Sequence, residues 1–177
     1  HECGGLDVQP ADVAKVAGKR GRASTSIAEF AARLDTPRAV WVMVPAAVTG
    51  KTVQELATHL DAGDMIIAGG NSYYRDDVER ARTLRERGIH YVDCGTSGGV
   101  VGLERGFCLM IGGETAVVDH LDPIFRTIAP GGGETPRTPG RKGPPGRAEN
   151  GYLPCGRHGP GHVGRGEEEE RRGGKGW

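Results

Sequence analysis

Apolar positions along the first 130 residues come in two alternating textures. Short continuous runs, "AVWVMV" at 39–44, "MIIA" at 65–68, "IHYVDC" at 89–94 and "FCLMI" at 107–111, suit strands buried on both faces and are too short for helices. Between them lie periodic segments. Ser26 and Glu29 have capping-box spacing ahead of "FAARL", and Thr52 and Glu55 repeat it ahead of "VQELATHL", which Gly63 closes. The spacing predicts a charged helix over 75–87, with Val78, Ala81 and Leu84 as a narrow apolar stripe and Arg75, Asp76, Asp77, Glu79, Arg80 and Arg82 as its solvated face. A further amphipathic helix follows in "AVVDHLDPIFRTIA", with Val117, Val118, Leu121, Ile124, Phe125 and Ile128 on one face. At the start, "CGGLDV" reads as a short strand ending in an acid, and Pro10 opens a helix that runs to about Val16.

Strands alternating with helices at this spacing call for parallel neighbours joined by crossovers that cover both sheet faces. The expected fold is therefore a doubly wound, Rossmann-like α/β domain with a mostly parallel sheet over 1–130. From 131 to 177 the apolar period fails, and "GGGETPRTPGRKGPPGRAENG" reads as Gly/Pro-rich loop followed by an irregular tail. Within that tail, Glu167 to Arg171 could form a brief helical turn.

Composition narrows the function classes. The chain has 177 residues, with 23 basic and 23 acidic side chains, so it lacks the basic footprint of a nucleic-acid binder, and any anion must be held by a local pocket. No apolar run approaches the roughly 20 residues of a membrane span, and no signal peptide opens the chain. A cytoplasmic location is expected. The cysteines Cys3, Cys94, Cys108 and Cys155 have no CxxC spacing and read as free thiols, mostly buried. Cys155, His158 and His162 have three-ligand zinc spacing, but a structural site needs a fourth ligand and none lies nearby, so no metal is expected.

In open α/β sheets ligands bind outside the carboxyl ends of the strands. Four features fall there: Asp7, the "VPAA" turn at 44–47, "GGNS" at 69–72 and "GTSGG" at 95–99. An acid at the end of an early strand suits ribose hydroxyls and repels a 2′-phosphate, which makes Asp7 a signal for NAD over NADP; it reads equally as a turn acid ahead of a helix. Glycines in "GGNS" admit close approach to the main chain, and the Asn71 amide can both donate and accept. The same turn can also be a plain strand-to-helix link with Ser72 as its cap. In "TSGG", a serine hydroxyl beside successive glycine amides forms a concavity suited to carboxylate or phosphate. Two such turns on neighbouring strands read best as two walls of one pocket.

Together these segments resemble 6-phosphogluconate dehydrogenase, the decarboxylating enzyme of the pentose phosphate pathway, and most closely its short bacterial NAD-preferring form. The resemblance rests on "VWVMVPAAVTGKTVQELATHLDAGDMIIAGGNSYYRDD", "GIHYVDCGTSGGVVGLERGFCLMIGGE", "LDPIFRTIAP" and "GYLPCGRHGPGH". It implies oxidation of 6-phosphogluconate by NAD or NADP to ribulose 5-phosphate and carbon dioxide, as in gluconate utilisation. Asn71, Ser97, Gly98 and Gly99 match substrate-binding positions, and Asp7, Val44, Pro45, Ala46 and again Asn71 match cofactor-binding ones. Full-length members are expected to be homo-oligomers.

The departures are specific. The family's opening strand and GxGxMG turn, and the KMVHNGIE helix with its lysine base and glutamate acid, find no counterpart, and Arg165 stands at the lysine's offset, where a guanidinium cannot act as a base. Ala68 replaces the family's aspartate before GGNS. The chain thus reads as a fragment with no catalytic residue of its own, expected not to turn over substrate alone. A noncatalytic nucleotide- or sugar-phosphate-binding module and a fragment of a related 3-hydroxyacid dehydrogenase are the competing readings.

Overall fold

The computed structural model describes residues 3–17, 21–132 and 144–162. Arg165 and the acidic run at 167–170 lie outside them. A two-stranded parallel pair, β1 (Gly4–Gly5) and β2 (Arg22–Ala23), flanks α1 (Pro10–Ala17). The main sheet has five strands in the order β3 (Ala39–Val42), β4 (Met65–Ala68), β5 (His90–Ser97), β6 (Cys108–Gly112) and β7 (Tyr152–Gly156). β3, β4 and β5 run parallel, β6 returns antiparallel to β5, and β7 is parallel to β6.

The continuous apolar runs become strands because both sheet faces are covered. On one side Val40, Val42, Ile66, Ala68 and Tyr91 pack with Val53, Leu56 and Ala57 of α3 (Ala46–Ala57) and Ala81 and Leu84 of α4 (Tyr74–Arg85). On the other, Met65, Ile67, Val92, Cys94, Leu109 and Ile111 pack with Val117, Val118, Leu121 and Phe125 of the helix at Thr115–Ile128. Period-two alternation thus feeds two cores from the same strands. No helix among the described residues is long and apolar enough to cross a membrane.

Several expectations are corrected. The Ser26 capping box forms as expected at α2 (Ile27–Ala32), where Ser26 Oγ accepts from the Glu29 amide at 3.2 Å and Glu29 reaches back to the Thr25 amide at 2.7 Å. The Thr52–Glu55 box does not. The helix already begins at Ala46 behind Pro45, whose fixed φ suits a helix start, and Thr52 sits inside it with its hydroxyl on the Val48 carbonyl. The irregular stretch expected from 131 onward contains β7, an edge strand that tolerates Pro154 and buries Tyr152. Only Cys94 of the four cysteines is buried, and burial pushes its thiol up to about 12.

Candidate functional site

The register of the parallel strands decides where the two glycine turns lie. Ala68, the last residue of β4, pairs with Asp93, and β5 continues in the same direction to Ser97. The GGNS and TSGG turns therefore leave adjacent parallel strands at the same rim. The Val44–Ala46 turn reaches that rim from β3, and it fits against GGNS so closely that a Cβ on Gly70 would lie 2.6 Å from the Val44 carbonyl oxygen. Three of the four predicted features thus lie at the carboxyl ends of neighbouring strands, with the Val44 turn and GGNS in direct contact.

Each turn has a local cause for its shape. Gly98 packs under Phe107, where a Cβ would meet the ring at 2.7 Å, and Gly99 has φ of +53° in open space, so it is required for conformation and not for packing. Asn71 and Ser97 are exposed, and neither side chain has a hydrogen-bond partner among the described residues. A donor–acceptor amide and a hydroxyl thus stand idle at one rim. Asp7 is exposed as well, with one carboxylate oxygen taken by the Gln9 amide at 2.8 Å. That is the turn-acid geometry ahead of α1, and the second oxygen has no hydrogen-bond partner among the described residues.

Ser72 does not cap α4; Tyr73 precedes the helix, and the Ser72 hydroxyl turns inward to Asp77 at 3.0 Å. The expected solvated face of α4 is corrected at the same point. Asp77 is 0% exposed, while Val78 of the predicted apolar stripe is 47% exposed. Asp77 Oδ1 accepts from Tyr91 at 2.7 Å and from Arg80 at 3.0 Å, and its Oδ2 lies 2.7 Å from His162 Nδ1. Burial raises the Asp77 pKa, but the bonds from His162 and Tyr91 outweigh it and hold the carboxyl below its ordinary value. The acid is therefore ionised at neutral pH.

Asp93, also 0% exposed, receives the amides of Gly159 and Gly161 at 2.7 Å each. Burial, joined by the Asp77 charge, pushes the Asp93 carboxyl up despite those two bonds. Gly161 packs on β5 so tightly that a Cβ on Gly95 would lie 2.3 Å from its carbonyl oxygen. Sequence reasoning missed both carboxylates. It placed His162 in a three-ligand zinc pattern, whereas its Nδ1 is committed to Asp77, and no metal-binding group of three or more such side chains occurs among the described residues.

Residues 1–135 match the NAD binding domain of 6-phosphogluconate dehydrogenase. The chain belongs to that family. It is 36% identical over 163 residues to YqeC of Bacillus subtilis, which carries a 6-phosphogluconate dehydrogenase name; the match covers 92% of this chain and 49% of that protein. It is 38% identical over 132 residues to the NAD-dependent, decarboxylating 6-phosphogluconate dehydrogenase of Haloferax volcanii, covering 74% of this chain and 43% of the relative. The chain thus spans about half the length of these curated relatives. Among solved structures, Plasmodium falciparum 6-phosphogluconate dehydrogenase matches with a TM-score of 0.77 at 19% identity, over 93% of this chain and 34% of that one. Mycobacterium tuberculosis 3-hydroxyisobutyrate dehydrogenase matches with the same TM-score of 0.77 at 19% identity, over 97% of this chain and 52% of that one, so the chain shares its fold.

Proposed function

We propose that this chain forms the cofactor and sugar-acid wall of a 6-phosphogluconate dehydrogenase acting in the cytoplasm, oxidising 6-phosphogluconate with NAD or NADP to ribulose 5-phosphate and carbon dioxide. The reading is carried by one observation: Asn71 and Ser97, both exposed and both without a hydrogen-bond partner among the described residues, lie at or just past the carboxyl ends of adjacent parallel strands. Asn71 has the donor and acceptor to hold a sugar hydroxyl, and Ser97 with the Gly98 and Gly99 amides has the donors to hold an anionic end of the substrate.

The donor set also fits a dinucleotide. Asp7 offers a carboxylate oxygen, without a partner among the described residues, to ribose hydroxyls, Val44, Pro45 and Ala46 border the rim, and Gly70 lets that turn lie close against GGNS. Bound there, NAD or NADP supplies the hydride acceptor for the C3 hydroxyl. The sequence at the family's lysine and glutamate offsets carries no equivalent base or acid, so this chain binds without turning over, and catalysis belongs to the whole protein.

Calorimetric titration tests the reading, with 6-phosphogluconate, NAD and NADP added separately. The expected result is saturable binding of 6-phosphogluconate that weakens at least about tenfold in Asn71→Ala and in Ser97→Ala, as loss of a hydrogen bond to a charged or polar ligand predicts. NAD should bind more tightly than NADP, and Asp7→Ala should narrow that preference. Binding of the sugar acid with unchanged affinity in both rim variants would defeat the proposal.

A further inference from the structure

We propose that Asp77 is a positioning residue that ties the GGNS turn, one wall of the sugar-acid pocket, to the segment Gly159–His162 packed on β5, so that the two order as one unit. The inference builds on the sugar-acid reading above and adds a residue that touches no ligand itself. Asp77 Oδ1 takes the hydroxyls of Ser72 and Tyr91 and the guanidinium of Arg80, and Arg80 also holds Ser72 Oγ at 2.7 Å. Ser72 follows Asn71 directly, so one end of the network fixes the turn that carries the sugar-binding amide. Asp77 Oδ2 receives Nδ1–H of His162, because an ionised carboxylate can only accept. His162 belongs to a segment whose Gly159 and Gly161 amides are clasped by Asp93 and whose Gly161 carbonyl lies against Gly95, the residue directly before Thr96 of the TSGG turn.

The division of donors between the two oxygens gives the coupling its force. Among the described residues, Ser72, Arg80 and Tyr91 all bond to Oδ1, whereas His162 alone serves Oδ2. Removing His162 bares Oδ2 in a site without water access, since Asp77 is 0% exposed. The freed charge must then draw on the remaining donors, and Ser72 is the one that sits in a turn and not in a helix or strand. Neutralising Arg80 alone would have needed neither His162 nor Tyr91. His162 Nε2 is buried without a partner among the described residues, so the ring's polar contact there is the one its Nδ1 makes to Asp77.

Amide hydrogen exchange on the full 177-residue chain is the test. It reports local opening residue by residue, through the Gly70 amide bonded to the Val42 carbonyl and the Gly159 and Gly161 amides bonded to Asp93. His162→Leu should speed exchange at Gly70, far away in sequence, by about tenfold and weaken 6-phosphogluconate by a similar factor, as expected for a lost charge-assisted bond. His162→Asn, whose side-chain amide nitrogen can stand where Nδ1 stands, should restore both. The reciprocal variant Ser72→Ala leaves the core intact and should speed Gly159 and Gly161, because coupling between sites runs equally in both directions. Acceleration confined to the mutated element in both His162→Leu and Ser72→Ala overturns the proposal, as does failure of His162→Asn to restore Gly70. If the wild-type chain shows no binding of 6-phosphogluconate, the sugar-acid reading fails, while the exchange comparison still decides whether Asp77 couples the turn and the segment.

Discussion

The two ends of the central sheet both bury carboxylates, and they use them differently. At the start of β4, Asp64 is 1% exposed and is held by Arg38 Nη1 at 2.7 Å, the Arg38 amide at 2.7 Å and the Asp61 amide at 2.9 Å. All its partners lie just ahead of β3 and β4, and the knot fixes where two neighbouring strands begin. At the carboxyl end, Asp77 and Asp93 reach across the sequence to Gly159, Gly161 and His162. The first arrangement closes a crossover. The second brings a distant segment over the rim where the glycine turns sit. The proposed site lies beside the carboxylates whose partners come from a distant segment, and the Asp64 knot serves as the internal control.

The largest effect is expected at the control end. Arg38→Met leaves Asp64 buried with two amides and no countercharge, which should cost about 3–5 kcal/mol of unfolding free energy in a denaturant titration. Affinity for 6-phosphogluconate, measured where the variant is folded, should not change. A matched loss of affinity would erase the distinction between the two ends.

Gly95→Ala comes next. Its Cβ would lie 2.3 Å from the Gly161 carbonyl oxygen and 3.2 Å from Met110 Cε, so the segment must lift off β5. Overpacking of this kind costs about 1–3 kcal/mol, and here it should also expose the Gly159 and Gly161 amides to exchange. Unaltered protection of those two amides would mean that the segment is not seated as described.

Tyr91→Phe removes one donor from Asp77 and keeps the ring packing. Burial pushes the Tyr91 phenol far upward, so the hydroxyl is a permanent donor, and its loss should cost about 1.5 kcal/mol. Ser72, Arg80 and His162 remain, so the sugar-acid affinity should fall less than in His162→Leu.

The smallest effect is in the pH dependence. Asp64 and Asp77 are held below the ordinary aspartate range; in both, burial opposes the shift and hydrogen bonds overcome it. Their stabilisation is complete above the unfolded pKa of about 4 and is lost as pH falls through their lower folded values. Asp93 has the opposite sign: burial raises it, so the folded chain takes up that proton first and stability holds or rises slightly as pH falls toward 4. Stability should therefore stay flat down to about pH 4 and then drop steeply, as read by chemical denaturation across pH. Asp77→Asn should make the drop shallower.

Much of this architecture is legible in the residues. The runs at 39–44, 65–68 and 107–111 announce strands because two covered faces leave no polar alternation to confuse them. The turns at the strand ends are legible because Gly99 needs its positive φ and Gly70 its close approach to Val44. Asp77 escapes a reading that assigns charge to solvent. Yet Asp77, Ala81 and Leu84 are spaced i, i+4, i+7 and lie within one narrow face, whereas Val78 sits about 100° away around the helix. The helical period points to the acid once burial of a hydrogen-bonded carboxylate is allowed. Strand β7 escapes for another reason: it buries only Tyr152 and carries Pro154, so its existence depends on pairing with β6 and on no pattern of its own. The length of α3 escapes because Thr52 and Glu55 imitate a cap inside a helix that Pro45 has already begun.

The central claim is that the GGNS and TSGG turns form two walls of one sugar-acid pocket, and the most direct measurement is an amide chemical-shift map during titration with 6-phosphogluconate. The account predicts saturating shifts with one common dissociation constant at Asn71 and at Ser97, Gly98 and Gly99, with the residues around Arg38 and Asp64 unmoved. Shifts confined to one turn, or centred on the opposite end of the sheet, would contradict it.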